Sequence, residues 1–361
     1  MDTSWHYAVV VGIDKYPRID NGRFDLRCPP DDARKVGAWL VSSQGGNIDE
    51  SRVKVLTRST PGGRAPPVPV FDEINAAILD CVTEFVDRRT TTLPNESARK
   101  LAWQNSRFYF YVSGHGMDGD GDDAVLITAN ATRASMNHIS ARNVINQLRK
   151  HKVFGELVVL ADCCRDLAGV AVQDLPWDLN NFSGFNDPVR PRSFIAYASR
   201  NLKKAFEPSK GAALENSIFT QALLEGLSGG VPGNEVNSAN LADFLYNYVP
   251  KLAQQSSNSD QNPDIKADPG IIFIRTSKLY GVTITARPGS IYASLPAVDA
   301  LDSAKSAEQN RNVLPAVRPG VFEGCLGTGY YAIVPPGGNP FRGSPVFPLC
   351  VLGEDINESF G

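Results

Sequence analysis

Apolar residues recur along most of the chain as short continuous runs separated by longer polar stretches. Runs rich in Val, Ile, Leu, Phe or Tyr predict five buried strands, at residues 7–13, 52–57, 107–112, 156–161 and 193–198. A sixth run, at residues 270–274, predicts a closing strand. Runs of this length without polar alternation are typical of strands that are covered on both faces.

A second pattern, with apolar positions three or four residues apart, predicts amphipathic helices between these strands. The helices are expected at residues 31–41, 71–89, 140–151, 216–227 and 239–254. In the second of them, Ile74, Ile78 and Phe85 share one face. The last contains Pro250 and is expected to be interrupted there, because proline lacks the N–H that a helix needs.

The alternation of strands and helices predicts an α/β domain, with a mainly parallel central sheet between two layers of helices. This domain is expected to cover residues 1–275. From about residue 276 the sequence becomes rich in Gly and Pro, with short alternating runs such as GVTITARP. Residues 276–361 are therefore expected to form a small β-rich appendage with an accessory or regulatory role.

Composition narrows the classes of protein to which the chain can belong. Of its 361 residues 42% are hydrophobic, so a core can form without disulfides or metal. The net charge of −3 gives no general attraction to nucleic acid or anionic lipid, and neither is expected as a partner. Six cysteines without paired spacing exclude a disulfide scaffold. Without a signal-peptide pattern or an apolar run of about 18 residues, a cytoplasmic protein is expected.

Two candidate chemical groups follow directly after predicted strands. The third strand leads into Ser-Gly-His-Gly, which contains His115 and Gly116, and the fourth into Asp-Cys-Cys-Arg, which contains Cys164. Neighbouring parallel strands lie about 5 Å apart, so both side chains can face one cleft. A cysteine nucleophile needs a base and donors for the oxyanion. The amides of Gly116 and Cys164 are the expected donors.

In this order and on this strand pattern, the motifs resemble those of the caspases and metacaspases, including bacterial caspase-like proteins, of peptidase clan CD. The interval from His115 to Cys164 is 49 residues, similar to the caspase spacing of about 50. The segments LRCPPDDA at residues 26–33 and SIFTQALL at residues 217–224 are also similar to family motifs. The resemblance covers residues 7–275 and implies a three-layer caspase-like sandwich, with His115 and Cys164 as a catalytic dyad.

The resemblance also implies a substrate pocket. Metacaspases cleave after Arg or Lys, and the matching pocket positions here are Asp32, Ser113 and Asp162. Two carboxylates at the base of a pocket would hold a guanidinium by charge-assisted hydrogen bonds. Protein substrates with Arg, and secondarily Lys, before the cleaved bond are therefore expected. Pro29 stands where the family has a pocket cysteine, which puts one wall of the pocket in question.

Family members are often made as zymogens and cut in the loops beside the site. The loops at residues 167–192 and 200–215 contain candidate sites for self-cleavage, namely Arg190, Arg192, Arg200, Lys203, Lys204 and Lys210. The appendage is expected to dock a regulatory partner. A role in a stress or defence pathway follows by analogy with the family alone.

Other interpretations remain open at the level of the sequence. The chain could be a catalytically silent caspase-like scaffold, or a hydrolase of another acyl bond. His115 could be a structural histidine, Cys164 an inert thiol, and Asp162 a cap of the following helix or turn. Cys163 is expected to point into the core. Trp177, Phe182 and Phe185, in the long loop, could dock substrate or pack within the loop.

No cofactor is expected, although an acidic run raises the question of calcium. The run consists of Asp118, Asp120, Asp122 and Asp123, spaced by glycines. A calcium loop that started at Asp118 would need a Glu at its twelfth position, where Ala129 stands. A solvated turn is therefore the preferred interpretation, and calcium the alternative.

Overall fold

The structure is a computed structural model. It describes residues 2–20, 25–57, 68–119, 123–165, 175, 177, 179, 189–200, 203, 205–207, 216–231, 235–257, 259–275, 280–286, 291–295, 297–302, 311–319, 321–326, 329–335, 347–351 and 356–360. The chain forms two compact units, Met1–Ile274 and Arg275–Gly361.

The first unit alternates strands with helices along the chain. Its strands are β1 His6–Gly12, β2 Val53–Thr57, β3 Arg107–Gly114, β4 Gly116–Asp118, β5 Ala124–Ile127, β6 His138–Ser140, β7 Glu156–Cys163, β8 Arg192–Tyr197, β9 Glu235–Asn237, β10 Asp264–Ala267 and β11 Ile272–Arg275. Its helices are α1 Pro17–Asp20, α2 Pro29–Val41, α3 Phe71–Thr92, α4 Glu96–Gln104, α5 Ala141–Lys150, α6 Ile218–Glu225 and α7 Ser238–Ser257.

Six of these strands form the central sheet, in the order β10-β8-β7-β3-β1-β2. The pairs from β8 to β2 are parallel, whereas β10 lies antiparallel at the edge beside β8. Every residue of β1, β3 and β7 is buried, which explains their continuous apolar runs. The predicted α/β class with a mainly parallel sheet is confirmed.

Each face of the sheet packs against a layer of helices. Side chains that alternate along β1 point to opposite faces, so Val9 and Val10 lie in two different hydrophobic clusters. The first cluster includes Ile78 and Phe85 of α3, and also Val144 and Leu148 of α5. The second includes residues of α2, α6 and α7, such as Leu40, Leu223 and Leu245. This arrangement gives the three layers that the sequence predicts.

A buried ionic network lies at the beginnings of β3, β7 and β8. Arg107 donates from Nε to Glu156 Oε2 over 2.7 Å and from Nη2 to the carbonyl of Ile272 over 2.8 Å. Arg192 donates to the other carboxylate oxygen of Glu156 over 2.5 Å and to the carbonyl of Gly270 over 2.9 Å. The network ties the β11 segment to the end of the sheet opposite the strands' carboxyl ends.

Residues 270–274 were predicted to close the central sheet, and this prediction was wrong. That run forms β11, which pairs with β9 in a separate two-stranded sheet. The closing strand of the central sheet is β10, whose sequence Asp-Ile-Lys-Ala has one buried side chain, Ile265. An edge strand that is half solvated lacks the apolar run by which buried strands are detected.

The helix α7 runs from Ser238 to Ser257 with Pro250 inside it, so the predicted interruption of the helix at this proline does not occur. Proline in a helix interior costs about 3 kcal/mol. Burial of Leu245, Val249 and Leu252 on the sheet side of the helix opposes that cost, since each such side chain stabilises by about 1.5–3 kcal/mol. The hydroxyl of Tyr246 also donates to the carbonyl of Ile265 in β10 over 2.9 Å.

The second unit is rich in β structure, as predicted. Its strands are β12 Tyr280–Ala286, β13 Ala297–Asp302, β14 Arg311–Arg318, β15 Val321–Leu326, β16 Gly329–Val334, β17 Phe347–Val351 and β18 Ile356–Phe360. They form one sheet in the order β17-β16-β13-β14-β15-β12-β18, in which only β12 and β18 are parallel among the described pairs. Ile284, Val298 and Phe322 are among its buried side chains.

Within the described part of the chain, no helix combines the length and the apolar character that crossing a bilayer requires.

Candidate active site

His115 and Cys164 follow directly after two paired strands. In the register of β3 and β7, Ser113 lies opposite Asp162 and Gly114 opposite Cys163. His115 directly follows β3 and Cys164 directly follows β7, and both line one pocket of about 240 Å³. The parallel sheet therefore brings the imidazole and the thiol, which are far apart in sequence, to the same cavity.

Gly116 begins β4 and lies against the backbone of the cysteine pair. A Cβ at this position would lie 2.6 Å from the carbonyl oxygen of Cys164 and 2.7 Å from Cys163 Sγ. These distances are too short for any side chain, so the approach of the two segments requires glycine. The close approach keeps the Gly116 backbone beside the backbone of Cys164, and the expected role of their amides as oxyanion donors stays a prediction.

The Cys164 thiol is partly exposed and contacts the backbone of Ala205. Its sulfur accepts a hydrogen bond from the Ala205 N–H over 3.3 Å and donates to the carbonyl of the same residue over 3.4 Å. Ala205 lies between Lys204 and Phe206 in the sequence, and no sequence motif marked it as part of the site. By contrast, Cys163 is buried in the first hydrophobic cluster, and burial raises the pKa of its thiol well above the usual range.

His115 is held by a tyrosine that sequence analysis did not identify. The His115 backbone N–H donates to Tyr16 Oη over 2.8 Å, and the centres of the two rings lie 4.9 Å apart. Tyr16 Oη in turn donates to the carbonyl of Ile13 over 3.1 Å. The tyrosine follows β1, so it connects the ends of two neighbouring strands.

Asp32 and Asp162 are both buried near the base of the pocket, and Asp162 also lines it. Asp32 accepts from Ser113 Oγ over 3.1 Å, and from Asn216 Nδ2 over 2.7 Å. Asp162 accepts from the hydroxyls of Ser217 and Thr220. All of these partners are neutral, so the hydrogen bonds leave the two negative charges without a cation.

The same carboxylates also cap α6, which begins at Ile218. Asp32 accepts from the N–H of Ser217 over 3.1 Å, and Asp162 accepts from the N–H of Thr220 over 3.1 Å. Asp162 therefore does cap a helix, but the helix is α6 rather than one that follows it directly. Because a helix amino terminus favours negative charge, this contact stabilises the ionised carboxylates.

Burial is the largest influence on the pKa values of Asp32 and Asp162. It raises the pKa of Asp32 to about 7, with a further increase from the charge of Asp162. Burial likewise raises the pKa of Asp162 to about 6, and the charge of Glu207 adds to the increase. The hydrogen bonds from Asn216, Ser217 and Thr220 act in the opposite direction. A bound cation would remove the cost of ionising both groups.

Glu207 is a third acidic residue of the pocket and was missed at the sequence level. Its Oε1 accepts from the backbone N–H groups of Arg27 and Cys28, over 2.8 and 2.7 Å. Its Oε2 lies 3.5 Å from Arg27 Nε in a pair with half-exposed Arg27. The carboxylate thus joins residues 205–207 to the start of α2.

The caspase-domain family model matches residues 6–269, a range that includes both strand ends and every pocket residue described above. This chain belongs to the caspase-domain family of peptidases.

A curated relative of this caspase domain is a probable protease from a Desulfuromonadales bacterium, with 26% identity over 242 residues. The alignment covers 62% of this chain and 26% of that protein, so the chain spans about a quarter of its length. Caspase-1 from Spodoptera frugiperda has 14% identity and a TM-score of 0.47, over 76% of this chain and 92% of its own. A protein from Geobacter sulfurreducens has 14% identity and a TM-score of 0.40, over 75% and 97%.

Arg165, which follows the cysteine pair of the caspase domain, is completely buried. Its guanidinium donates to the carbonyl of Asp123 over 3.0 Å and to Asp264 Oδ2 in β10 over 2.9 Å, and lies 4.7 Å from the centre of the Tyr197 ring. Asp118 Oδ1 is 3.5 Å away. The side chain fixes the chain just after Cys164 to three neighbouring elements.

The acidic run that raised the question of calcium is used in part for packing. Asp118 pairs with Arg165, and Asp123 accepts from Ser140 and from the N–H of Arg142 at the start of α5. Asp120 and Asp122 lie outside the described residues. Among the residues that are described, no group of three metal-ligating side chains occurs.

The expected self-cleavage sites differ in their surroundings. Arg190, Arg200 and Lys203 are exposed. The carbonyl of Arg200 accepts from the Lys203 N–H over 3.1 Å, and the carbonyl of Lys203 accepts from the Arg165 N–H over 3.0 Å. Arg192 is the first residue of β8, and its side chain belongs to the ionic network of Glu156. Lys204 and Lys210 lie outside the described residues.

The aromatic residues of the long loop are only partly described. Trp177 packs against the first hydrophobic cluster and its indole N–H donates to Asn75 of α3. Phe182 and Phe185 lie outside the described residues. The described contacts of Trp177 are therefore with the core and α3, and packing among the aromatic residues of the loop stays a prediction.

Proposed function

We propose that the chain is a cysteine endopeptidase that cleaves protein substrates after Arg, and secondarily after Lys. One observation carries the proposal: His115 and Cys164 line the same pocket as Asp162 and Glu207. A nucleophile with a neighbouring base can cleave an acyl bond, and carboxylates beside it select a basic side chain. Membership of a peptidase family makes the peptide bond the preferred acyl group.

In the proposed reaction, His115 takes the proton of the Cys164 thiol and the thiolate attacks the peptide carbonyl carbon. The C=O electrons move to the oxygen, which the amides of Gly116 and Cys164 stabilise. The tetrahedral intermediate then expels the amine, which receives the proton from the imidazolium. Water, deprotonated by His115, attacks the thioester and releases the carboxylic acid and the free thiol.

Selection of the basic residue is proposed to rest on the acidic side chains of the pocket. Asp32 and Asp162 have neutral hydrogen-bond partners, so a guanidinium would supply their missing positive charge. Arginine is favoured over lysine because its planar fork offers several donors to carboxylates on more than one side. Glu207, whose Oε2 lies 3.5 Å from Arg27 Nε, is proposed to contribute a third negative charge.

The dyad is tested with Cys164→Ala and His115→Ala on a peptide reporter with Arg before the cleaved bond. We expect each variant to fall below about one thousandth of the wild-type kcat/KM, because either half of the pair is needed for attack. Cys81→Ala, which removes a buried thiol of α3, is the matched control and should be fully active. A chloromethyl ketone with a terminal Arg should add its mass to Cys164. Wild-type rates in either dyad variant, or no labelling, would refute the proposal and favour a silent scaffold.

The pocket is tested separately with reporters that carry Arg, Lys, Leu or Asp before the cleaved bond. Asp162→Asn and Glu207→Gln should each raise KM for the Arg reporter about tenfold, because a charge-assisted hydrogen bond is lost. Asp31→Asn, on the exposed face of α2, is the control. Equal cleavage of the Leu and Arg reporters would contradict basic selectivity while leaving the dyad intact.

Self-processing and a role in stress or defence are further parts of the proposal. Arg190 and Arg200 are exposed, and cleavage after them would leave the β7–β8 ladder paired. Intact mass after incubation should reveal cuts in wild-type protein but not in Cys164→Ala, and Arg190→Gln should remove one product. Full activity of an uncut chain would rule out obligatory processing. The biological setting rests on family analogy alone.

A further inference from the structure

The completely buried Tyr16 connects the ends of β1 and β3. His115, the proposed base, directly follows β3. Tyr16 follows β1, and its hydroxyl both donates to the carbonyl of Ile13 and accepts from the backbone N–H of His115. The distance of 2.8 Å from the His115 N–H is typical of such a hydrogen bond, and the distance of 3.1 Å from the hydroxyl to Ile13 is slightly long. Burial keeps the phenol neutral by raising its pKa, so it can serve as donor and acceptor at once.

The ring of Tyr16 also packs on the imidazole. The two ring centres are 4.9 Å apart with planes tilted by 55°, a spacing at which two aromatic rings attract each other. The neighbouring residue is Gly114, where a Cβ would lie 2.7 Å from Tyr16 Oη. The backbone before His115 thus leaves room for this hydroxyl and for no side chain.

We propose that Tyr16 is the positioning residue of His115, holding its backbone through the hydroxyl and its imidazole through the ring. The inference rests on the proposed function in that His115 is taken as the base. Tyr16 acts through the histidine and does not touch substrate. Loss of the hydroxyl leaves the part-buried N–H of His115 without this acceptor, and the resulting shift of His115 changes proton transfer more than substrate binding.

The test compares Tyr16→Phe, which removes the hydroxyl, with Tyr16→Leu, which removes both hydroxyl and ring. Tyr109→Phe is the matched control, because this buried tyrosine near the other end of β3 bonds Arg107 instead. Tyr16→Phe should lower kcat about tenfold with KM within about twofold of wild type, as expected for the loss of one buried hydrogen bond. Tyr16→Leu should lower kcat further, and Tyr109→Phe should change neither constant.

The rate of Cys164 alkylation by iodoacetamide supplies a second measurement, because it reports the thiolate that His115 stabilises. It should fall in the order wild type, Tyr16→Phe, Tyr16→Leu, with His115→Ala lowest. The proposal is overturned if folded Tyr16→Phe keeps the wild-type kcat and alkylation rate, or if its loss lies entirely in KM. Should Tyr16→Leu not fold, Tyr16→Phe decides alone. Wild-type activity in His115→Ala would instead refute the proposed function.

Discussion

At the scale of single residues, the pocket depends on two aspartates whose environments conflict with their charge. Asp32 and Asp162 share donors from the start of α6 but lack a described cationic partner, and burial raises the pKa of both. Under the proposed function, a substrate guanidinium would relieve this conflict. The cost in fold stability of burying the two carboxylates would then serve the binding of a basic side chain.

The pH dependence of stability follows from the direction of these shifts. The pKa of Asp32 rises from 3.8 to about 7 on folding, so the folded state binds the proton more tightly than the unfolded chain. The free energy of unfolding should therefore decrease as the pH rises through this window. Asp32→Asn should reduce that decrease by on the order of 2 kcal/mol, measured by urea unfolding at pH 5 and pH 8.

The control for this measurement is Asp31→Asn, since Asp31 lies on the exposed side of the same helix. It should leave the pH dependence unchanged. A decrease in Asp32→Asn as large as in wild type would mean that the buried carboxyl does not carry the raised pKa.

Gly116 gives a second prediction at this scale. Gly116→Ala places a methyl group 2.6 Å from the Cys164 carbonyl oxygen, so the backbone must move apart at the site. Overpacking of this kind costs about 1–3 kcal/mol, and kcat should fall with it. Gly229→Ala is the comparison, because no atom lies within 4 Å of its added Cβ and only its positive φ is strained. Equal kcat in the two variants would argue against a tight oxyanion site.

At the scale of secondary-structure elements, Arg165 connects the end of β7 to the β4–β5 segment and to β10. Arg165→Met should destabilise the fold by about 3–5 kcal/mol, because it leaves the carboxylates of Asp118 and Asp264 without their cation and the carbonyl of Asp123 without its donor. Arg34→Ala removes an exposed pair with Asp31 and should cost less than about 1 kcal/mol. Urea unfolding of both variants measures the difference, and equal effects would contradict the assigned role.

The apolar pattern predicted five of the six strands of the central sheet, including β2 at one edge, but it did not predict β10 at the other edge. β1, β3 and β7 are continuous apolar runs whose every residue is buried. β10 is half solvated, and α7 continues through Pro250 because its packing outweighs the proline's local effect. Whether β10 forms a strand and whether α7 continues through Pro250 both depend on tertiary packing, which a local sequence pattern does not record.

The residues of the candidate site also fall into two groups, those that the sequence pattern could place and those that it could not. His115 and Cys164 stand directly after buried strands, so their placement at adjacent strand ends follows from the pattern, although their catalytic roles stay predictions. Glu207 and Tyr16 reach the site from irregular segments, and their contacts join residues 180 and 99 positions apart. No periodicity or spacing relates such residues, because only the folded sheet brings them together.

At the scale of the whole molecule, both hydrophobic clusters lie within the unit Met1–Ile274. A protein of residues 1–274 should therefore unfold cooperatively and cleave the Arg reporter, since its core and candidate site are retained. Circular dichroism melting and kcat/KM measure the outcome against the full chain. A higher kcat/KM in the shorter protein would assign an inhibitory role to the β-rich unit, and failure to fold would contradict the independence of the first unit.

The ionic network of Arg107, Glu156 and Arg192 closes the central sheet at the ends opposite the candidate site. Leu26 and Glu207 line the pocket and take no part in this network. Substitutions of these two residues should therefore alter the lining of the pocket while the packing at the far end of the sheet stays intact, so that the two ends can be changed independently by mutation.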